Sequence, residues 1–141
     1  MRRASTLIFL AAVLSLASWR CESDPVDTGE FDLDRATVEG RIVAGGVPVS
    51  QATLRIRVLR AGCVGDPLVT LTDLTPDFDG SFRQTVAVLA SGPTAVVACV
   101  EVIVTPFSGT GLGTATVQVD GVQFVRAPAT APIVEVEISL D

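Results

Sequence analysis

Hydrophobic and polar residues alternate along most of this chain with a period of two. Val38, Gly40 and Ile42 alternate with Glu39 and Arg41, and Leu54, Ile56 and Val58 alternate with Arg55 and Arg57. Successive side chains of a strand point to opposite faces, so each run predicts a strand with one buried face. Val134, Val136 and Ile138 against Glu135 and Glu137 repeat the pattern within a run from Ile133 to Leu140. Further apolar runs at 68–72, 82–89, 95–105, 114–119 and 122–127 complete a set of eight short strands. Between the runs stand Gly45-Gly46, Gly62, Gly65-Asp66-Pro67, Gly92-Pro93, Pro106 to Gly113 and Pro128 to Pro132, all of them turn or loop chemistry. Asp120-Gly121, flanked by alternating runs, predicts a two-residue hairpin, because such a turn needs the positive φ that Gly adopts freely. No amphipathic helical period follows residue 20. The pattern predicts an all-β domain over 36–141, an antiparallel β-sandwich of about seven to eight strands.

The first twenty residues break the period. Met1-Arg2-Arg3 precedes an uncharged apolar run from Ala4 to Ser18, the basic and hydrophobic regions of an export signal. That run is too short for a stable bilayer-spanning helix. Residues 1–20 are therefore expected to be a signal peptide and the rest to be exported. Two cleavage sites compete. Ser15 and Ala17 are small residues at the positions a general signal peptidase prefers, and cleavage after Ala17 releases a soluble protein. The stretch Leu16 to Cys21 instead resembles a bacterial lipoprotein signal in its placement and its cysteine, although it carries Arg20 where a small residue is usual and Ser18 where Leu is usual. The resemblance implies lipid attachment at Cys21 and a home in the cell envelope, at the outer membrane or cell surface. Residues 21–35 then serve as an acidic flexible tether with Glu22, Asp24, Asp27, Glu30, Asp32 and Asp34, together with Pro25 and Gly29.

Charge and composition narrow the function. The chain of 141 residues has ten basic and sixteen acidic groups, a net charge of −6, and loss of the signal removes Arg2, Arg3 and Arg20. An acidic body is a poor nucleic-acid partner, and without a basic amphipathic helix any membrane contact is expected through the lipid alone. The sequence contains no His, Lys, Asn or Tyr. A Ser-His-Asp triad, a Schiff base and an imidazole metal ligand are all excluded, so the protein is expected to be no enzyme and to carry no cofactor.

The order of several short pieces resembles a carboxypeptidase regulatory-like domain. Val38 to Val43, then Gly46-Val47-Pro48-Val49, then Ala52 to Ile56 are similar to its opening. Leu71-Thr72-Asp73 leading to Asp79-Gly80-Ser81-Phe82 is similar to its "T-D…G-x-F" hairpin. The likeness covers roughly residues 36–105. It implies a transthyretin-like or prealbumin-like β-sandwich used as a non-catalytic module of exported and surface proteins.

Candidate sites are few. Cys63, in a Gly-rich loop, and Cys99, in the central hydrophobic run, are expected to form a disulfide in an oxidising compartment. A redox-active or metal-binding pair would want a C-x-x-C spacing or a histidine, and neither is present. Asp73, Asp77 and Asp79, with Gly80, suggest a weak calcium loop, but the set lacks a distal Glu and also suits a plain turn. Arg41, Arg55, Arg57 and Arg60 make either a basic face or cross-strand partners for Glu39, Glu101, Glu135 or Glu137. Beyond Cys21 the aromatics are Phe31, Phe78, Phe82, Phe107 and Phe124, too few for a carbohydrate platform. The loop from Phe107 to Gly113 lacks the Lys and the helix of a phosphate cradle. The expected role is interaction or structural support through an unidentified envelope protein or ligand. A ligand-binding module or an accessory subunit of an envelope enzyme is the alternative.

Overall fold

The computed structural model describes residues 32–90 and 92–141. The signal peptide, Cys21, and residues 21–31 of the tether lie outside the described residues. The chain forms eight strands: β1 (Leu33–Ala44), β2 (Val47–Pro48), β3 (Ala52–Arg60), β4 (Val64–Leu74), β5 (Ser81–Leu89), β6 (Val96–Pro106), β7 (Ala115–Arg126) and β8 (Ile133–Leu140). The fold is all-β, as the period of two predicts.

Hydrogen bonding divides the strands into two groups. In one, β3 pairs with β4 and β6, and β6 pairs with β7. In the other, β1 is central, with β5 along one edge, β8 along the other, and β2 closing a short hairpin at its end. The groups join where Asp34 and Arg35 of β1 pair with Arg126 and Val125 of β7, so one hydrogen-bonded sheet runs through all eight strands. Both groups send side chains into one buried cluster. Ala36, Val38 and Ile42, with Val86, Val88 and Ile138, come from the β1 group; Leu54, Ile56, Val58, Val100, Val102, Val104 and Phe124 come from the β3 group. A single core fed from two strand groups is compatible with a sandwich. Each large side chain taken fully out of water contributes about 1.5–3 kcal/mol, which is why the alternation fixes the register.

Four features differ from the sequence reading. The predicted strands at 114–119 and 122–127 are one strand, β7, and Asp120-Gly121 makes no hairpin. Ala98 faces Val122 and Val100 faces Val119, so Cys99 stands opposite two residues and Asp120-Gly121 is a bulge. Gly121 has φ 72°, the positive value a bulge requires as much as a hairpin does. Second, β8 runs parallel to β1, from Thr37 opposite Ile133 to Ala44 opposite Leu140, so the fold is not wholly antiparallel. Third, β1 begins at Leu33 rather than beyond residue 35, because Asp34 is drawn into the core edge. Fourth, Gly65-Asp66-Pro67 lies within β4, where an outermost strand tolerates a proline.

Asp34 explains its own burial. One carboxylate oxygen accepts Arg126 Nε–H at 3.2 Å and the other accepts the Val96 amide at 3.2 Å. Arg126 also reaches Asp32 and donates to the Gly92 carbonyl. The clasp ties β1, β7 and the approach to β6 together at one end of the molecule.

Candidate functional site

Strand directions place the connections 45–51, 75–80 and 107–114 at one end of the molecule, together with Asp141. Two contacts link these segments. The Phe107 amide donates to the Gln51 carbonyl and the Gly113 amide to the Asp141 carbonyl, both at 2.9 Å. Exposed apolar side chains gather here: Phe78 is 92% exposed, Val47 64% and Phe107 47%. Burying a phenylalanine releases a large hydrophobic free energy, so a ring held in water on an ordered turn is the feature of this end that asks for an explanation.

The turn under Phe78 is built by its neighbours. The Asp77 amide donates to the Ser81 carbonyl at 2.7 Å, and the Gly80 amide donates to the Asp77 carbonyl at 2.9 Å. The Ser81 amide donates to Asp79 Oδ1 at 3.0 Å, with the Ser81 hydroxyl on the same oxygen. These bonds, the hydroxyl first and the amide next, hold the Asp79 carboxyl below the usual carboxylate range, with Arg41 adding a smaller pull. Gly80 has φ 76°, and a Cβ there would stand 2.6 Å from the Ile42 carbonyl oxygen, so only glycine fits.

The three candidate calcium ligands are not brought together. Asp73, next to last in β4, has φ 58° and accepts from the neighbouring Thr72 hydroxyl, while Asp77 and Asp79 both face Ser81. Among the described residues, the one grouping of three potential metal donors is Cys63, Cys99 and Asp120. Nor is the 75–80 connection a hairpin. β4 pairs with β3 and β5 pairs with β1, so the segment carries the chain from one strand group to the other.

The arginines divide likewise. Arg57 lies 3.1 Å from Glu101 in an ion-pair contact, and Gln118 donates to the other Glu101 oxygen at 2.7 Å. Arg41 sits in the other strand group, opposite Ser81 and Glu137, and Glu39 pairs with Arg83 rather than Arg41. No common basic face forms from these four residues. Glu39, Arg41, Arg83, Glu135 and Glu137 instead line a shallow groove of about 630 Å³ running to Asp77.

Cys63 and Cys99 form a disulfide, as their placement predicts, with Cα atoms 5.1 Å apart. The bond fastens the turn after β3 to the bulged part of β6 and β7. Asp120 reinforces that attachment, since both its oxygens accept the Gly62 amide, at 2.9 and 3.0 Å. The sequence reading paired the cysteines but missed Asp120, whose carboxylate reaches them only because the bulge replaces a turn. It also counted Phe78 without singling it out, although an aromatic between two aspartates in a Pro-Asp-Phe-Asp-Gly stretch is a readable signal of a displayed ring. In comparisons with known proteins, no family model matches the chain, and no curated protein matches it.

Proposed function

We propose that this protein is a non-catalytic module of the cell envelope, exported and anchored through lipid on Cys21, which binds a protein partner through the end that displays Phe78. The observation that carries this reading is the Phe78 ring, 92% exposed on a turn locked by Asp77, Gly80 and Ser81. A rigid aromatic that loses little entropy on docking is the usual anchor of a protein interface. Asp77 and Asp79 flank it in the sequence and give the turn negative charge, so the complementary partner offers an apolar pocket with a basic rim. The absence of His and Lys from the sequence supports a role without catalysis. The pieces from Val38 to Phe82 that resemble a carboxypeptidase regulatory-like domain fall in β1, around β2, in β3, at the end of β4 and at the start of β5, and that order supports such an origin.

A photo-crosslinking phenylalanine analogue at position 78, expressed in the native host, tests the interface. A discrete adduct is expected at position 78, absent when the same analogue replaces Val97 and weakened by salt. No adduct at 78, or the same adduct from both positions, overturns the reading. Anchoring is tested on the same material. A mature protein lacking Trp19, labelled by a fatty-acid probe and lost from the membrane in Cys21→Ala, is expected. A soluble protein that retains Trp19 refutes the anchor.

A further inference from the structure

The outermost strands differ in how they meet solvent. β4 contains Gly65-Asp66-Pro67 and pairs with β3 through two register shifts, and β8 carries Glu135 and Glu137. Prolines, bulges and charges of this kind keep an edge from pairing with another chain. β5, Ser81–Leu89, has no proline, no glycine and one charge, Arg83, which Glu39 already holds. Its ladder with β1 runs without a shift from Leu89 opposite Leu33 to Ser81 opposite Arg41.

In an antiparallel ladder a residue turns its N–H and C=O either both toward one neighbouring strand or both away from it. Thr37 donates to the Pro132 carbonyl on the β8 side at 2.8 Å, whereas Ile42 donates to the Gly80 carbonyl on the β5 side at 2.9 Å. Even-numbered residues of β1 therefore face β5, and the register sets them opposite even-numbered residues. Odd-numbered residues of β5 turn outward. The Gln84 side-chain amide, donating to the Thr85 carbonyl at 3.2 Å, marks that carbonyl on the open side. Ser81 is occupied by the turn, where its carbonyl accepts Asp77 and its amide donates to Asp79. That leaves the main chains of Arg83, Thr85, Ala87 and Leu89, and among the described residues no strand pairs with them along this edge.

We propose that this edge pairs with the same edge of a second copy, antiparallel about a two-fold axis through Val86. The four open residues are spaced evenly about Val86, so this register alone engages all of them, with Arg83 opposite Leu89 and Thr85 opposite Ala87 on each side of the axis. Each such pair exchanges two main-chain hydrogen bonds. On the core side Val86 meets Val86 and Gln84 meets Val88. On the outer side Leu89, 63% exposed in the single chain, comes under the aliphatic stem of Arg83. No like charges stand opposite each other. The assembly closes at two copies, because the two-fold contact occupies the same edge on both. The Phe78 turn lies outside the paired residues, so this surface goes beyond the one already assigned to a protein partner.

Sedimentation equilibrium of the full chain in density-matched detergent is expected to give twice the mass of one chain at high micromolar concentration and a single chain on dilution. Hydrogen exchange, read residue by residue by NMR, then identifies the contact. The amides of Thr85, Ala87 and Leu89 are expected to be protected in the dimer and to lose that protection on dilution, while those of Val86 and Val88 stay protected throughout. Ala87→Pro deletes an outward amide and leaves the β1 ladder intact, so it should raise the dimer Kd about tenfold or more with an unchanged strand spectrum. A chain that stays monomeric overturns the proposal, and so does a dimer whose Thr85 and Ala87 amides exchange freely. A folded Ala87→Pro chain that dimerises with undiminished affinity overturns it as well. Should that variant fail to fold, the exchange pattern of the unaltered chain decides.

Discussion

Gly80 and Ser81 carry the displayed turn between them, and each makes a separate prediction. Gly80→Ala forces a Cβ toward the Ile42 carbonyl oxygen at a φ of 76°, and it is expected to cost about 1–3 kcal/mol in chemical denaturation. Ser81→Ala removes the first donor to Asp79, so the Asp79 carboxyl should titrate closer to the usual range in a carbon-detected NMR titration. The folded pKa of Asp79 lies below its unfolded value, so its stabilisation is present above the ordinary aspartate range. It is lost as the pH falls through the folded value. The variant should therefore be less stable than the parent at neutral pH and equal to it in strong acid. Equal loss at both extremes would assign the effect to the hydroxyl's packing instead. Asp34 makes a third case. Asp34→Ala leaves the half-buried Val96 amide without its acceptor, and a loss of about 1–3 kcal/mol is expected.

At the scale of the element, β7 separates what the sequence specifies from what it leaves open. Its bulge predicts short interproton distances between Val122 and Ala98 and between Val119 and Val100. A hairpin at Asp120-Gly121 would instead fold Val122 back along Val119, and contacts of that kind would refute the register. Asp-Gly announces a positive φ and nothing more. Whether the chain reverses there depends on whether β6 can pair with both flanks, and β6 is long enough to do so. The alternation in β1, β3 and β8 was legible because burial of one face is a local property of the sequence. The partner and direction of β8 were not, since Val134-Glu135-Val136-Glu137 reads the same in a parallel or an antiparallel ladder. The site follows the same division. Cysteine placement made the disulfide legible, while the arrival of Asp120 beside it depends on the bulge. Asp73, Asp77 and Asp79 are close in sequence, yet only Asp77 and Asp79 meet at Ser81, while the Asp73 carboxylate stays with Thr72 at the end of β4.

For the whole molecule, the disulfide joins residues 36 apart. By the loop-entropy relation its removal in Cys63→Ser with Cys99→Ser is expected to cost about 4 kcal/mol, read as a lower melting temperature with an unchanged strand spectrum. A shift of a degree or less would mean that the unfolded chain is already compact around these residues. The parallel ladder between β1 and β8 reaches further. β1 is the centre of its group, but the strand that covers its second edge comes from the far end of the chain, with Thr37 opposite Ile133. A chain that emerges amino end first, from a ribosome or a translocation pore, thus holds β1 half-paired until residues 133–140 have come through. Val134, Val136, Ile138 and Leu140 arrive with β8, so four of the twenty residues of the buried cluster also wait. A chain stopped at Pro132 keeps every ladder but that of β8 and is expected to leave the amides along one edge of β1 unprotected in hydrogen exchange.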